Sequence, residues 1–330
     1  MVADGYIGMV KTVPQLYRYI YDRAERARDI PAFRRWVNQY TATNLRALVN
    51  ERKPDVVVCT HAFPCGVMAE YKRQFDPELP VAGIVTDFVV HPFWIYSNID
   101  LYAVATREMR QALINRGVAR ERIELSGIPV DPRFAQHRLP VAELRAALGL
   151  PVDRRMVLMM GGGLGIGPLE LMIRALERVE VPVAGTIIVG RNAALQRRVT
   201  ALAERTAYPL RILGFVDNVF DYMRAADVLV SKPGGLSSSE ALSAELPMVL
   251  VKPLPGQEER NTRYLVSRRA AVRADGEAQL ARAIADVLEP GERRERLLQR
   301  IGALRTPAAA ADVARRIAAI VDVRRGASAG

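Results

Sequence analysis

The sequence predicts a doubly wound α/β protein of two unequal domains, and three features carry that prediction. Short runs that are apolar throughout, rather than alternating, recur along the chain, as parallel strands covered on both faces require. Helical patterns fill the gaps between them. Two glycine-rich turns follow strands in the second half, within residues 159–172 and 231–243.

Taken in order, residues 33–50 read as a helix, and the first 50 residues hold no strand candidate. Strands are expected at 55–60 (DVVVCT), 81–86, 101–105 and 123–127, with helices at 66–74 and 107–116. A joint falls near 135–153, where RFAQHRLP gives way to a short helix and GLPVD. Beyond it, strands at 156–160, 185–190, 210–214, 227–231, 247–251 and 270–274 alternate with helices at 168–180, 191–204, 217–225, 237–245, 257–268 and 277–288. Those six strands make a complete doubly wound unit, whereas the first half has too few. The run TPAAAADVARRIAAIVDV reads as a last helix, with Thr306 as its cap and Pro307 in its first helical position, packing back across the joint. The domains are then 1–140, 141–305 and a C-terminal helix and tail at 306–330.

With 330 residues, half of them apolar, the chain can bury two cores. A formal charge of +11 suggests an anionic partner: nucleic acid, an anionic membrane face or a phosphorylated substrate. Solvated arginines on helix faces give the same excess. Cys59 and Cys65 are spaced as neither a zinc pair nor a redox motif and are expected to be reduced and half-buried, as in a cytoplasmic protein. The three histidines have no ligand spacing, so no metal is expected. The opening MVADGYIGMVKTVP is not a signal peptide, and no window is apolar enough to span a bilayer, so membrane contact would be peripheral. Residues 17–36 mix Tyr17, Tyr19, Tyr21, Phe33 and Trp36 with arginines, a composition suited to anionic lipid. RNA would suit it too, but no RNA-binding motif accompanies it.

The first glycine-rich turn, MMGGGLGIGPLELM, fits neither the dinucleotide fingerprint nor a P-loop. It is a bare backbone turn whose N–H groups, Gly162 and Gly163 among them, can face a phosphate or let another domain approach. The second, SKPGGLSSSEALS, combines the charge of Lys232, the close backbone approach allowed by Gly234 and Gly235, and a helix starting near Leu236 followed by Ser237. Together these form an anion seat. Glu240 suits a ribose diol. It also completes a capping box, Ser237-x-x-Glu240, and the two readings are compatible. Gln257, Glu258 and Asn261 open the next helix, and amide and acid groups there suit sugar hydroxyls. A solvated first helical turn looks the same.

The block from GFVDNVF through SKPGGLSSSEALS to PGQEERNTRYL resembles the donor half of the monogalactosyldiacylglycerol synthase and processive diacylglycerol glucosyltransferase family, relatives of the lipid II-forming peptidoglycan transferase. VTDFVVHPFW, LSGIPVDPRFA and DGYIGMVKTVPQLYRYIY resemble its other blocks. The resemblance implies a GT-B fold, two Rossmann-like domains facing a cleft, and an inverting, metal-independent transfer. Glucose or galactose would pass from a UDP-sugar to diacylglycerol at the inner face of the membrane. It implies that Phe215 and Val216 hold uracil through backbone groups and that Gly234, Gly235, Leu236 and Ser237 hold the diphosphate, with Lys232 stabilising the leaving group. Glu240 would hold the ribose, and Gln257, Glu258 and Asn261 would face the sugar. The family pattern begins with a strand and a glycine-rich loop bearing the histidine usually taken as base. This sequence opens after that block, so the first domain is expected to lack one strand-loop-helix, through a downstream start, a truncation or a separate chain. Asp87 and His91 are then the candidates for activating the acceptor, and His91 equally reads as a residue ordering the loop before Pro92. Trp94 reads as core or as lipid contact. The alternatives are a lipid-linked peptidoglycan precursor as acceptor, or a non-catalytic or split UDP-sugar-binding subunit.

Overall fold

The computed structural model describes residues 30–136, 139–161 and 167–328. Their contacts form two compact units: one runs through Pro129 and includes Pro255–Arg260 and the stretch from Ala308, the other holds Val130–Leu254 and Asn261–Pro307. Of the aromatic and basic segment 17–36, residues 17–29 lie outside the described residues, and 30–36 form the first turns of a helix.

In the first unit, α1 (Ile30–Arg52) precedes β1 (Val57–Cys59), α2 (Ala62–Gln74), β2 (Val81–Ile84), β3 (Leu101–Val104), α3 (Arg107–Ile114) and β4 (Ile123–Leu125). The four strands pair in parallel, in the order β1-β2-β3-β4. Both faces of β2 and β3 are covered, which is why their sequences do not alternate. Val81, Tyr102 and Val104 join Cys59, Cys65 and Trp94 in one core. Ala82, Ile84, Leu101 and Ala103 meet Val313, Ile317 and Ile320 of α12 (Ala309–Ser328) on the other. The two cysteines are therefore fully buried rather than half-buried, at 3% and 0% exposure, and both are free. Trp94 is core. Buried Lys72 and half-buried Asp100 form a pair at 2.5 Å, and Asp100 also accepts from the Val81 amide at 2.7 Å. The pair fixes the entry to β2.

The second unit contains α4 (Val141–Ala147), β5 (Arg155–Met160), α5 (Leu169–Leu176), β6 (Val183–Ile188), α6 (Ala193–Ala203), β7 (Leu210–Leu213), α7 (Val219–Ala225), β8 (Val228–Ser231), α8 (Gly235–Ser243), β9 (Met248–Leu250), β10 (Val272–Arg273), α10 (Glu277–Leu288) and α11 (Glu292–Leu304). Between β9 and β10, α9 (Gln257–Ser267) begins in the stretch grouped with the first unit and continues into this one. The sheet is wholly parallel in the order β10-β9-β8-β5-β6-β7, the arrangement in which strand order reverses between β5 and β8. Arg145 of α4 is held there by Ala225 O (2.8 Å), Arg154 O (3.1 Å) and the Asp227 carboxylate (2.8 Å).

All ten expected strands form. The helix expected at 66–74 starts earlier, at Ala62, because the His61 side chain accepts from the Phe63 amide and caps it. The helix α11 was not expected. The last helix begins at Ala309, so Thr306 is not its cap and Pro307 is not its first residue; the chain makes a turn before the helix starts. No described helix is long and apolar enough to cross a membrane.

Two substitutions test this packing. A methyl group on Gly66 of α2 would collide with the Tyr96 hydroxyl and stand 2.6 Å from Asn38 Nδ2. Gly66→Ala is expected to lower unfolding free energy by about 1–3 kcal/mol in urea titration. Arg145→Met removes the guanidinium 2.8 Å from the Asp227 carboxylate and leaves it the exposed Arg155 at 3.5 Å and the more distant charge of Arg294. It is expected to cost roughly 3 kcal/mol by the same measurement.

Candidate functional site

Ligands of open α/β sheets lie at the carboxyl ends of the strands where strand order reverses. Here that point is fixed by register: Met160, the last residue of β5, pairs with Ser231, the last of β8. Both glycine-rich turns therefore leave the sheet side by side. Asp227 sets the pairing, donating its amide to Met156 O (2.8 Å) and accepting the Met156 amide on its carboxylate (2.7 Å).

The turn after β5 is pinched at its base. A Cβ on Gly167 would stand 2.5 Å from Gly161 Cα, so only glycine fits there. Gly162 and Gly163 lie outside the described residues.

The turn after β8 enters its helix two residues earlier than expected. Gly234 is the N-cap, with φ −64° and ψ 139°, and no side chain caps α8. Ser237 thus lies inside the helix, and the expected Ser237-x-x-Glu240 capping box does not form. The first intrahelical bond comes from the Ser238 amide to Gly234 O, at 3.0 Å. The amides of Gly235, Leu236 and Ser237 consequently have no intrahelical acceptor and stand at the positive end of the helix dipole. Lys232 is half-buried at the entrance.

Glu240 lies deeper along α8. Burial, and secondarily the neighbouring Asp131 carboxylate, push its pKa up to about 7. Asp131 is held low by Arg133, whose guanidinium binds it in a fork at 2.6–3.0 Å. Arg133 in turn lies over the Phe220 ring at 4.4 Å. This trio joins the segment before α4 to α7, and residue types alone did not single it out. The nearest signal was the quoted VDPRF run, in which Asp131 caps a short 3-10 helix at Pro132–Ala135.

Phe215 is 61% exposed beyond β7, and the Arg191 guanidinium sits 4.5 Å above its ring. Arg191 was likewise not anticipated; it follows Gly190, whose φ of 67° turns the chain sharply after β6. Val216 is half-buried beside Phe215. Asn261 is 1% exposed and donates its side-chain amide to Pro233 O at 3.1 Å. Gln257 and Glu258 are half-buried in the opening turn of α9, within Pro255–Arg260.

Asp87 and His91 belong to the first unit. Asp87 is half-buried just past the carboxyl end of β2. His91 is buried, its Nδ1 accepts the Phe93 amide at 3.2 Å, and it caps the turn Pro92–Trp94. It orders that loop. Among the described residues, no group of three or more potential metal ligands comes together.

Comparison with known proteins rests on this geometry. The family described as monogalactosyldiacylglycerol (MGDG) synthase matches residues 1–130, and that described as glycosyl transferases group 1 matches residues 141–301. A processive diacylglycerol beta-glucosyltransferase of Bacillus cytotoxicus is 30% identical over 301 residues, 91% of this chain and 76% of the relative. The chain belongs to this family of glycosyltransferases. The Bacillus subtilis protein of the same name is 28% identical, across 87% of this chain and 74% of its own. Among solved structures, Acinetobacter baumannii MurG superposes with a TM-score of 0.59 at 17% identity, covering 87% of this chain and 77% of that one. Anabaena HepE in complex with UDP gives 0.56 at 17%, covering 84% and 82%. The fold is accordingly the GT-B fold expected from the sequence.

The raised Glu240 pKa has a measurable consequence. Its native pKa exceeds that of an unfolded glutamate, so the folded state binds more protons between about pH 4.5 and pH 7 and loses stability as pH rises through that window. Glu240→Gln removes the penalty. The variant should melt higher than the parent at about pH 8, with the difference vanishing near pH 4.5, as followed by calorimetry across the range.

Proposed function

We propose that this chain transfers a hexose, glucose or galactose, from a UDP-sugar to diacylglycerol, making a glycolipid at an anionic membrane surface. The observation that carries the reading is the uncapped start of α8 beside Glu240, at the strand-order reversal. Three amides without intrahelical acceptors suit a diphosphate, and a carboxylate on the same helix suits the adjoining ribose diol. Phe215 and Val216, on the turn after β7, offer backbone groups to uracil. Gly162, Gly163 and Lys232 complete the donor site on this reading, and Gln257 and Glu258 serve the hexose hydroxyls.

A UDP leaving group takes on negative charge as the glycosidic bond breaks. The α8 dipole and Lys232 stabilise that charge, so the reaction proceeds without a metal. Inversion needs one displacement, with a base for the acceptor hydroxyl. Of the two candidates, Asp87 is the better: it is half-buried just past β2, whereas His91 is buried and its Nδ1 accepts the Phe93 amide. The names of the relatives support diacylglycerol as acceptor, and HepE has been solved with UDP and with UDP-glucose.

The test is transfer of labelled hexose from UDP-glucose and UDP-galactose into vesicles containing diacylglycerol. A labelled monohexosyl or dihexosyl diacylglycerol is the expected product. Label appearing only with a lipid-linked peptidoglycan precursor would move the acceptor, and donor binding without any transfer would leave a sugar-nucleotide binding subunit. In calorimetry, Glu240→Ala and Gly235→Val should each weaken UDP binding by about tenfold or more. Undiminished affinity in both variants would remove the donor site from α8.

A further inference from the structure

We infer that Asn261 is a positioning residue for the diphosphate seat, acting through the backbone of the turn after β8 rather than by touching the donor sugar. The inference rests on the donor reading above.

The peptide unit joining Pro233 to Gly234 immediately precedes the open amides of α8, and it is held at both ends. Its N–H, on Gly234, donates to Lys232 O at 2.9 Å. Its carbonyl, on Pro233, accepts from Asn261 Nδ2 at 3.1 Å in a fully buried bond. Pro233 adds a fixed φ. The plane of this peptide determines where the amides of Gly235, Leu236 and Ser237 point, because those residues continue from it directly into helical backbone. Without Asn261 the carbonyl loses its buried donor, and rotation of the peptide becomes its route to another. That rotation carries an acceptor oxygen toward the helix mouth, where an anion would otherwise find only donors. Gly234 offers no steric resistance, since a Cβ there would meet nothing within 4 Å. The side-chain amide of Asn261 thus replaces steric constraint as the element that keeps the seat in its anion-accepting form.

This assignment differs measurably from a direct contact with the hexose. A residue that touches only the sugar contributes to UDP-hexose binding and not to UDP binding. A residue that orients the diphosphate seat contributes equally to both. The experiment measures Kd by calorimetry for UDP and for UDP-glucose, on the full chain and on Asn261→Ala, together with the melting temperature and the KM for diacylglycerol.

The expected result is a parallel loss of about tenfold for both nucleotides, with the ratio of the two Kd values unchanged. The melting temperature should stay within about 4 °C of the parent, and the KM for the lipid acceptor should not move. Should the alanine variant fail to fold, Asn261→Asp, which keeps the side-chain volume and removes the donating NH2 group, is read in the same way. A loss confined to UDP-glucose would overturn the inference and place Asn261 on the sugar. Parent-like affinity for both nucleotides would also overturn it. If the parent itself bound no UDP, the donor reading would fall first, and this inference with it.

Discussion

Asp227 holds the register on which the second unit depends. Its amide, its carboxylate and its carbonyl together bind three other elements, β5, α4 and α11. The amide and carboxylate fasten β8 to Met156 at the start of β5, the carboxylate also takes Arg145, and the carbonyl receives Arg294 of α11 at 3.4 Å. Parallel strands cannot be aligned by a tight hairpin, so their register must come from side chains and crossovers. A slip of one residue would invert every side chain of β8 and separate Met160 from Ser231. With the register held at the amino end, the two strands end together four residues later. Met160 and Ser231 then stand side by side where both turns begin.

What the turn after β8 presents is defined by the side-chain cap it lacks. A serine or aspartate at the N-cap of α8 would bind the first amides internally and stabilise the free protein by about a few tenths of a kcal/mol relative to glycine. Gly234 does not, and those amides keep no intrahelical or side-chain cap acceptor. Glu240 carries a related cost. Burial beside Asp131 makes its charged form unfavourable near neutral pH, and a diol donating two hydrogen bonds would relieve that directly. The free protein is less stable at this end of the sheet than it could be, and the difference is available to binding.

The strands were legible because covering both faces of a parallel sheet forces uninterrupted apolar runs, and MVLMM and DVLVS are runs of strand length that lead into glycine-rich turns. The start of α8 was misplaced by two residues because SSSE looks like a capping box, whereas the backbone enters the helix at the glycines. The helix α11 escaped notice because its sequence, ERRERLLQRIGAL, is dominated by charge and buries only Leu297 and Ile301. At the site, spacing placed the two glycine turns correctly. It did not reveal Arg133 over Phe220 or Arg191 over Phe215, since each pair joins segments far apart in sequence. Nor did residue type reveal the direction of Asn261: an amide in the first turns of a helix reads as solvent-facing until the structure shows it buried against Pro233.

The same reasoning explains why the chain's linear halves are not its structural halves. Successive residues of β2 and β3 face opposite sides, and α1 and α2 can cover only one of them. Leu45 and Val49 of α1 and Cys65 and Met68 of α2 lie on the side of Val81, Tyr102 and Val104. The opposite side, Ala82, Ile84, Leu101 and Ala103, is met by Val313, Ile317 and Ile320, which the chain supplies only after the whole of the second unit. Arg316 reinforces the docking through Glu124 at 3.1 Å. Small residues on this face of the strands, Ala82 and Ala103, let the helix approach closely. The apolar, unbroken pattern of β2 and β3 is therefore a statement about a segment more than 200 residues downstream, and a first unit expressed without α12 would expose one side of its central strands.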